Sequence, residues 1–159
     1  MDRGALLQEI AELHAEYVDA LDEGPLERWP ELFCEECEYR VTSRENHDRG
    51  MPLSLLFCES RAGLRDRVMA IRSTSVFRPR AMRHLSGAPR IVDDGAAGGD
   101  VRCRAGFAVF ETVLGEETRV FLTGTYLDRL TRRDGVLRFR ERVCVYDSAL
   151  VPGSLVLPI

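Results

Sequence analysis

The sequence predicts an α+β fold in which an N-terminal helical layer covers one face of a long, curved, mixed or antiparallel sheet. Three observations carry that expectation. Leu6, Leu7, Ile10, Leu13, His14, Tyr17, Val18 and Leu21 recur at i, i+3, i+4 and i+7, the spacing of one helical face. Three later runs, 101–113, 119–130 and 136–146, are rich in β-branched and aromatic residues and alternate polar with apolar, the period of half-buried strands. Only short Gly-containing connectors separate those runs, so neighbours must be antiparallel. A sheet built this way has an apolar face to cover, and helices upstream are available to cover it. Wrapped around them, the sheet closes into a cone with an internal pocket.

The elements follow in order. Glu9, Glu12, Glu16 and Asp19 lie on the outer face of the first helix, which Gly24-Pro25 ends. The stretch 26–33 reads as a short second helix, with Trp29, Leu32 and Phe33 packing beneath the first. Residues 37–44 read as the first strand and 45–50 as a polar loop. The apolar run Leu53–Phe57 has no periodicity that assigns it. Residues 60–72 form a third helix, capped by Ser60 with Leu64, Val68 and Ile71 inward. Residues 83–92 read as a strand leading into a Gly-rich turn at 93–100. Asp134-Gly135 is a strong hairpin signal, because Gly accepts positive φ.

The chain reads as one domain, residues 1–159, without repeats or a low-complexity linker. No stretch approaches the ~18 apolar residues of a membrane-spanning helix. The acidic N-terminus does not suit a signal peptide, and five irregularly spaced cysteines suit reduced thiols, so the expected location is the cytoplasm. The net charge of −4 is uneven: residues 1–60 carry −10 and residues 61–159 carry +6. All 22 basic residues are arginine, which removes Schiff-base chemistry and a lysine phosphate loop from consideration. An arginine-only composition is compatible with a GC-rich coding sequence. It also suits bidentate pairing with carboxylates at interfaces or on an acidic ligand.

Cys34-Glu-Glu-Cys37 has the spacing of half a zinc site or a redox dithiol. No second such pair follows, and two acids between the thiols raise rather than lower their pKa, so a structural role is expected. His14, His47 and His84 are the three histidines, and none stands at ordered ligand spacing to another. Neither Cys-x-His nor Cys-x-x-His occurs, which excludes a Rieske cluster on this chain. Tyr17, Asp22, Tyr39, His84, Tyr126 and Arg142 are the candidates to point into the cone. There they either transfer protons or hydrogen-bond one another and fill space. Residues 61–90 hold eight arginines and one acid. An acidic chain without lysine does not suit nucleic acid, so Arg61, Arg65, Arg67, Arg80 and Arg83 are read as candidate subunit-interface residues.

Several strings carry a resemblance. W-P-E-L-F-C-E-E-C-E-Y-R-V-T-S-R-E-N-H-D-R-G (29–50), L-L-F-C-E-S-R-A-G-L-R-D-R-V-M-A-I-R (55–72), R-P-R-A-M-R-H-L-S-G-A-P-R-I (78–91) and G-T-Y-L-D-R-L (124–130) resemble the small (β) subunits of aromatic-ring-hydroxylating dioxygenases. So does the ending R-F-R-E-R-V-C-V-Y-D-S with L-P-I. Within that family the chain is most similar to the subgroup acting on terephthalate, salicylate and anthranilate. The resemblance implies the nuclear-transport-factor-2-like cone fold and a non-catalytic structural role beside a large α subunit, commonly as α3β3 around a homotrimer of β subunits. It also implies that the Rieske [2Fe-2S] cluster and the mononuclear iron reside on the α subunit, with a reductase delivering electrons from NADH. No cofactor, metal, nucleic acid or membrane is then expected on this chain itself.

Two other readings use the same fold. One is a stand-alone, cofactor-free dehydratase or isomerase with Asp22 or His84 as base and Tyr17 or Tyr126 as acid. The other is a small-ligand-binding cone without chemistry.

Overall fold

A computed structural model describes residues 2–73, 77–96 and 99–159. Helix α1 (Arg3–Asp22) begins at Asp2, whose carboxylate accepts from the Ala5 backbone N–H, and it buries Leu6, Ile10, Leu13, His14, Tyr17 and Ala20. Leu7, expected inside, is 40% exposed at the edge of that stripe. The expected second helix is instead two 3₁₀ turns, Leu26–Arg28 and Pro30–Leu32. Pro30 has no N–H to continue the first turn, which is the physical reason for the break.

Strand β1 (Phe33–Ser43) starts four residues earlier than the alternation suggests, because a register shift between Phe33 and Glu38 puts Glu35 and Glu36 outside together. The polar stretch expected to be a loop contains helix α2 (Arg44–Asp48), capped by Ser43, whose hydroxyl accepts from the Asn46 N–H. The unassigned apolar run leads into strand β2 (Leu56–Cys58). Helix α3 (Arg61–Ser73) buries Leu64, Val68 and Ile71, and the Gly63 N–H donates to the Ser60 hydroxyl, as the cap reading expects.

The single strand expected over 83–92 is two, β3 (Arg80–Ser86) and β4 (Arg90–Asp93), both pairing antiparallel with β5 (Val101–Val113). Gly87, Ala88 and Pro89 separate them, and a proline cannot donate to a ladder. Part of the Gly-rich turn, residues 97–98, lies outside the described residues. Strands β5, β6 (Arg119–Arg133) and β7 (Val136–Tyr146) form the expected antiparallel meander. Its last turn is Asp134-Gly135, with φ of 52° and 81°, the doubly positive geometry of a tight hairpin.

The seven-stranded sheet runs β2-β1-β7-β6-β5-β3, with β4 also on β5. Every pairing is antiparallel except β1 with β7. That parallel pair brings Tyr39 beside Arg142 and so adds the first strand to the β7 edge of the meander. One row crosses four strands: Cys103 opposite Asp128, Asp128 opposite Arg142, and Arg142 opposite Tyr39. Residues in one row project to one face, so the pleat alone delivers these four side chains to the interior beneath α1. Among the described residues, no helix is long and apolar enough to cross a membrane.

Gly124 sits where the curved sheet comes closest to itself. A Cβ there would meet the Val145 carbonyl oxygen and the Phe107 ring at 2.8 Å, whereas a Cβ on Gly106, opposite Thr125, has its nearest neighbour at 4.0 Å. Gly124→Ala should therefore lower stability by about 1–3 kcal/mol, read as a fall in melting temperature of several degrees. Gly106→Ala should leave the melting temperature within about a degree, since no atom must move to admit it.

Candidate functional site

The interior of the cone is organised by one ion pair. Arg142 Nε donates to Asp128 Oδ1 at 2.7 Å and Nη2 to Oδ2 at 2.8 Å, a bidentate fork between residues that are 0% and 4% exposed. His14, from α1, brings Nε2 to 2.8 Å from Asp128 Oδ2 and 3.0 Å from Arg142 Nη2. Nε2 thus faces an acceptor on Asp128 and a donor on Arg142, while Nδ1 lies 3.3 Å from the Ser86 hydroxyl. Rings close around the guanidinium: Tyr17, Phe139 and Tyr126 have centroids 4.0, 4.1 and 4.3 Å from Cζ.

Burial disfavours both charges, and their mutual attraction overcomes it. Asp128 is held below the usual carboxylate range despite burial, because Arg142 faces it at hydrogen-bond distance. Arg142 is held further above its ordinary value by Asp128, again against burial. Burial and then the Arg142 charge push His14 down, so it is neutral. Burial pushes the phenols of Tyr17, Tyr39 and Tyr126 up, leaving them as proton donors. The thiols of Cys103 and Cys144 are raised to about 12, chiefly by burial, which makes them unreactive. All five cysteines are free and buried; Cys37 is also raised to about 12, as the structural reading of Cys34-Glu-Glu-Cys37 expects.

A second cluster lies where the segment after β7 returns. Ile159 is fully buried, and its main-chain oxygen accepts from the Tyr17 hydroxyl at 2.5 Å and the Tyr39 hydroxyl at 2.8 Å. The Ile159 N–H donates to Tyr39 Oη at 3.0 Å, and the Cys144 thiol stands 3.4 Å from the same oxygen.

The six residues expected to line the cone thus divide. Tyr17, Tyr39, Tyr126 and Arg142 converge inside it. Asp22 and His84 pair with each other at the end of α1, where Asp22 Oδ1 meets His84 Nδ1 at 2.6 Å and Oδ2 accepts from the His84 backbone N–H at 2.8 Å. Using both oxygens on one residue latches α1 to β3. They border a groove of about 570 Å³ between those elements, shared with Ser86 and Arg83.

Each of the five candidate interface arginines has an acceptor in its own chain. Arg61 holds the Phe33 carbonyl and Glu35, Arg65 holds Glu31, and Arg67 holds the carbonyls of Leu155 and Val156. Arg80 holds Glu111 and Arg83 holds Glu23.

Asp128 and the Ile159 backbone were not anticipated. Asp128 was detectable: it falls in the inward phase of Tyr126-x-Asp128-x-Leu130, where a charge needs a partner. His14, Cys103 and Asp128 also place ligand atoms within 4.8 Å of one another. They do not suit a metal ion, because Arg142 engages both Asp128 oxygens and would add a positive charge beside the cation.

Removing one partner leaves the other charge buried and unpaired. Arg142→Met or Asp128→Leu alone should cost about 3–5 kcal/mol in denaturant unfolding, and the double replacement should recover most of that loss. The linkage also has a sign. Asp128 is depressed in the fold, so its contribution is complete above the ordinary carboxylate pKa and is lost as pH falls below it. His14 is likewise depressed, so the unfolded chain takes up a proton first and stability falls as pH drops below about 6.5. A His14→Gln variant should show a flatter stability profile between pH 7 and 5 than the unaltered chain.

Comparison with known proteins places this geometry in a family. The model of the SnoaL-like domain matches residues 5–143. The chain is 34% identical over 151 residues to the beta 2 subunit of the terminal oxygenase component of terephthalate 1,2-dioxygenase from a Comamonas species, covering 95% of this chain and 97% of that one. It is 32% identical to the small subunit of anthranilate 1,2-dioxygenase from Burkholderia cepacia, covering 95% and 92%. A crystal structure from Novosphingobium aromaticivorans, described as the beta subunit of an aromatic-ring-hydroxylating dioxygenase, superposes with a TM-score of 0.87 at 36% identity over 98% of each chain. With a seven-stranded sheet curled under α1 and 32–36% identity to these three proteins, the chain belongs to the SnoaL-like domain family and, within it, to the small subunits of the aromatic-ring-hydroxylating dioxygenases.

Proposed function

We propose that this chain, working as one unit over residues 1–159, is the non-catalytic small subunit of an oxygenase that acts on an aromatic carboxylic acid. Its task is to build and hold the assembly with an iron-bearing large subunit. One observation carries the reading: the charged groups inside the cone are committed to one another, and the Tyr126 hydroxyl, though unpartnered, is fully buried. Asp128 is tied to Arg142, His14 is neutral and packs its Nε2 against both, and the phenols of Tyr17 and Tyr39 hold the Ile159 backbone. None is left as a proton-transfer group facing solvent. The relatives' substrates, terephthalate and anthranilate, are aromatic carboxylates, which supports that substrate class for the complex.

The outside of the chain supports assembly. Met51, Leu53, Leu55 and Phe57 alternate along the segment entering and forming β2, and all four are exposed, Leu53 at 58%. An apolar stripe on an edge strand is an aggregation hazard unless a partner covers it. In this proposal the large subunit carries the Rieske [2Fe-2S] cluster and the mononuclear iron, the complex is α3β3 with a trimer of small subunits, and a reductase supplies electrons. The five reduced, buried thiols suit the cytoplasm.

Co-expression with a large chain containing Cys-x-His and Cys-x-x-His strings tests this by light scattering. A brown complex with about three copies of each chain is the expected result, and a colourless species that ignores the large chain would sink it. Leu53→Glu combined with Phe57→Glu should weaken the complex at least tenfold while leaving the circular dichroism of the small subunit unchanged.

A further inference from the structure

We infer that the outer face of the sheet, where β4, β5 and β6 lie side by side, carries a binding site for a small aromatic monocarboxylate. Arg102 and Arg104 alternate along β5 with the buried Val101, Cys103 and Ala105. They therefore project away from the cone, and the site lies on the far side of the sheet from it.

Three observations converge. First, arginine on this chain is as a rule neutralised within it: Arg80 and Arg119 share Glu111, and Arg132 holds Glu9. Among the described residues, only Arg90, Arg102, Arg104 and Arg133 have side chains with neither an ion pair nor a hydrogen bond. The first three are neighbours. Arg90 on β4 stands opposite Arg104, and Arg102, two places along the same face, stands opposite Arg129 on β6. Like charges facing each other across a ladder repel, so this row gains stability from an anion that it binds. Secondly, the acids close by are otherwise engaged. Asp93, opposite Arg102 on β4, accepts from the Gly95 N–H at 3.0 Å. Asp100 lies between Arg129 and Arg140, at 3.6 and 3.8 Å. Arg129 Nε is buried without a hydrogen-bond acceptor, a costly state for a charged donor. Thirdly, Arg102, Arg104 and Arg129 border a groove of about 510 Å³ that Val92, Leu127 and Val143 also line. Its volume is in the range of small-ligand pockets.

The surroundings define the ligand. Two residues apart on one strand, Arg102 and Arg104 have Cα atoms about 7 Å apart, and Arg90 lies about 5 Å from Arg104 across the ladder. Guanidinium groups this close can grip both oxygens of one carboxylate, which their planar forks match. From there an apolar floor runs across the sheet, with Arg104, Leu127 and Val143 in one row. The body behind the carboxylate must therefore be apolar, and flat enough to lie along a sheet. Glu141, opposite Arg129 on β7, stands at the far end of the groove. A second carboxylate on the ligand would meet it, so a monoanion is favoured over a molecule charged at both ends. Inorganic phosphate would satisfy the arginines and leave the apolar floor in water.

Benzoate is titrated calorimetrically into the full chain, with benzyl alcohol, terephthalate and inorganic phosphate as comparisons. Benzoate should bind saturably at one site and at least fivefold tighter than each of the other three. Its amide NMR shifts should gather at residues 90–92, 102–104 and 127–129. Arg104→Gln should weaken benzoate at least fivefold, whereas Arg133→Gln, which removes the unpaired arginine elsewhere, should leave the affinity unchanged. Both side chains are exposed, so each variant should keep the circular dichroism of the unaltered chain. Absence of saturable benzoate binding overturns the inference, as does binding that survives Arg104→Gln or falls equally with Arg133→Gln. Phosphate bound as tightly as benzoate would reveal a plain anion patch that makes no use of the floor, and shifts gathered at α1 and Tyr39 would place benzoate in the cone; either result overturns it too.

Discussion

The bidentate contact between Arg142 and Asp128 is the constraint on which the interior depends. Neither charge is tolerable alone in a space lined by Tyr17, Tyr126 and Phe139. Together they fix the relative position of β6 and β7, orient His14, and through His14 fix the rotation of α1. A ring of three aromatic faces around the guanidinium replaces part of the hydration it loses. Geometry of this kind selects one register strongly. A slip of one residue on β6 or β7 would carry one partner to the outer face and strand the other.

That constraint also explains how a fold with an internal pocket serves as a structural part. Apart from Arg142 Nη1 and the Tyr126 hydroxyl, the polar groups inside the cone are engaged by one another, by Ser86 and by the Ile159 backbone. Apolar residues that would ordinarily be hidden, Met51 through Phe57 on alternate positions, lie outside. A few inward polar groups tied to one another, together with an exposed apolar stripe, suit a subunit whose outer surface is completed by others. The exposed ion pairs, such as Arg65 with Glu31 and Arg72 with Glu27, add little to stability individually because water screens them. They do account for much of the charge asymmetry between the two parts of the sequence, since acids of the first sixty residues meet arginines of the remainder.

The long strands and the two long helices were legible because their signals are local: period-2 alternation to Val113 and Tyr146, a 3.6-residue stripe on α1, Asp-Gly at the last hairpin. What was not legible depended on single residues overriding a pattern, or on partners far away. Pro30 split a helix into two turns, and Pro89 with Gly87 split a strand into two. Glu35 and Glu36 hid the start of β1 by breaking the alternation, and α2 is too short for any periodicity. Of the candidate pocket residues, the four with an inward phase on α1 or on long strands were placed together. Asp22 was not, because the end of a helix has no fixed phase relative to a strand met sixty residues later. The parallel pairing of β1 with β7 has no local signature at all.

That pairing governs when the fold can exist. Phe33 and Phe139 lie side by side although more than a hundred residues separate them in the chain. The entropy of closing so long a loop must be met before the contact returns anything. During synthesis β1 therefore waits, with Tyr39 and Val41 uncovered, until β7 has emerged. The pairings of β1 with β2 and of β3 with β5 need no such wait, so the closure of β1 on β7 is the step that the length of the chain delays.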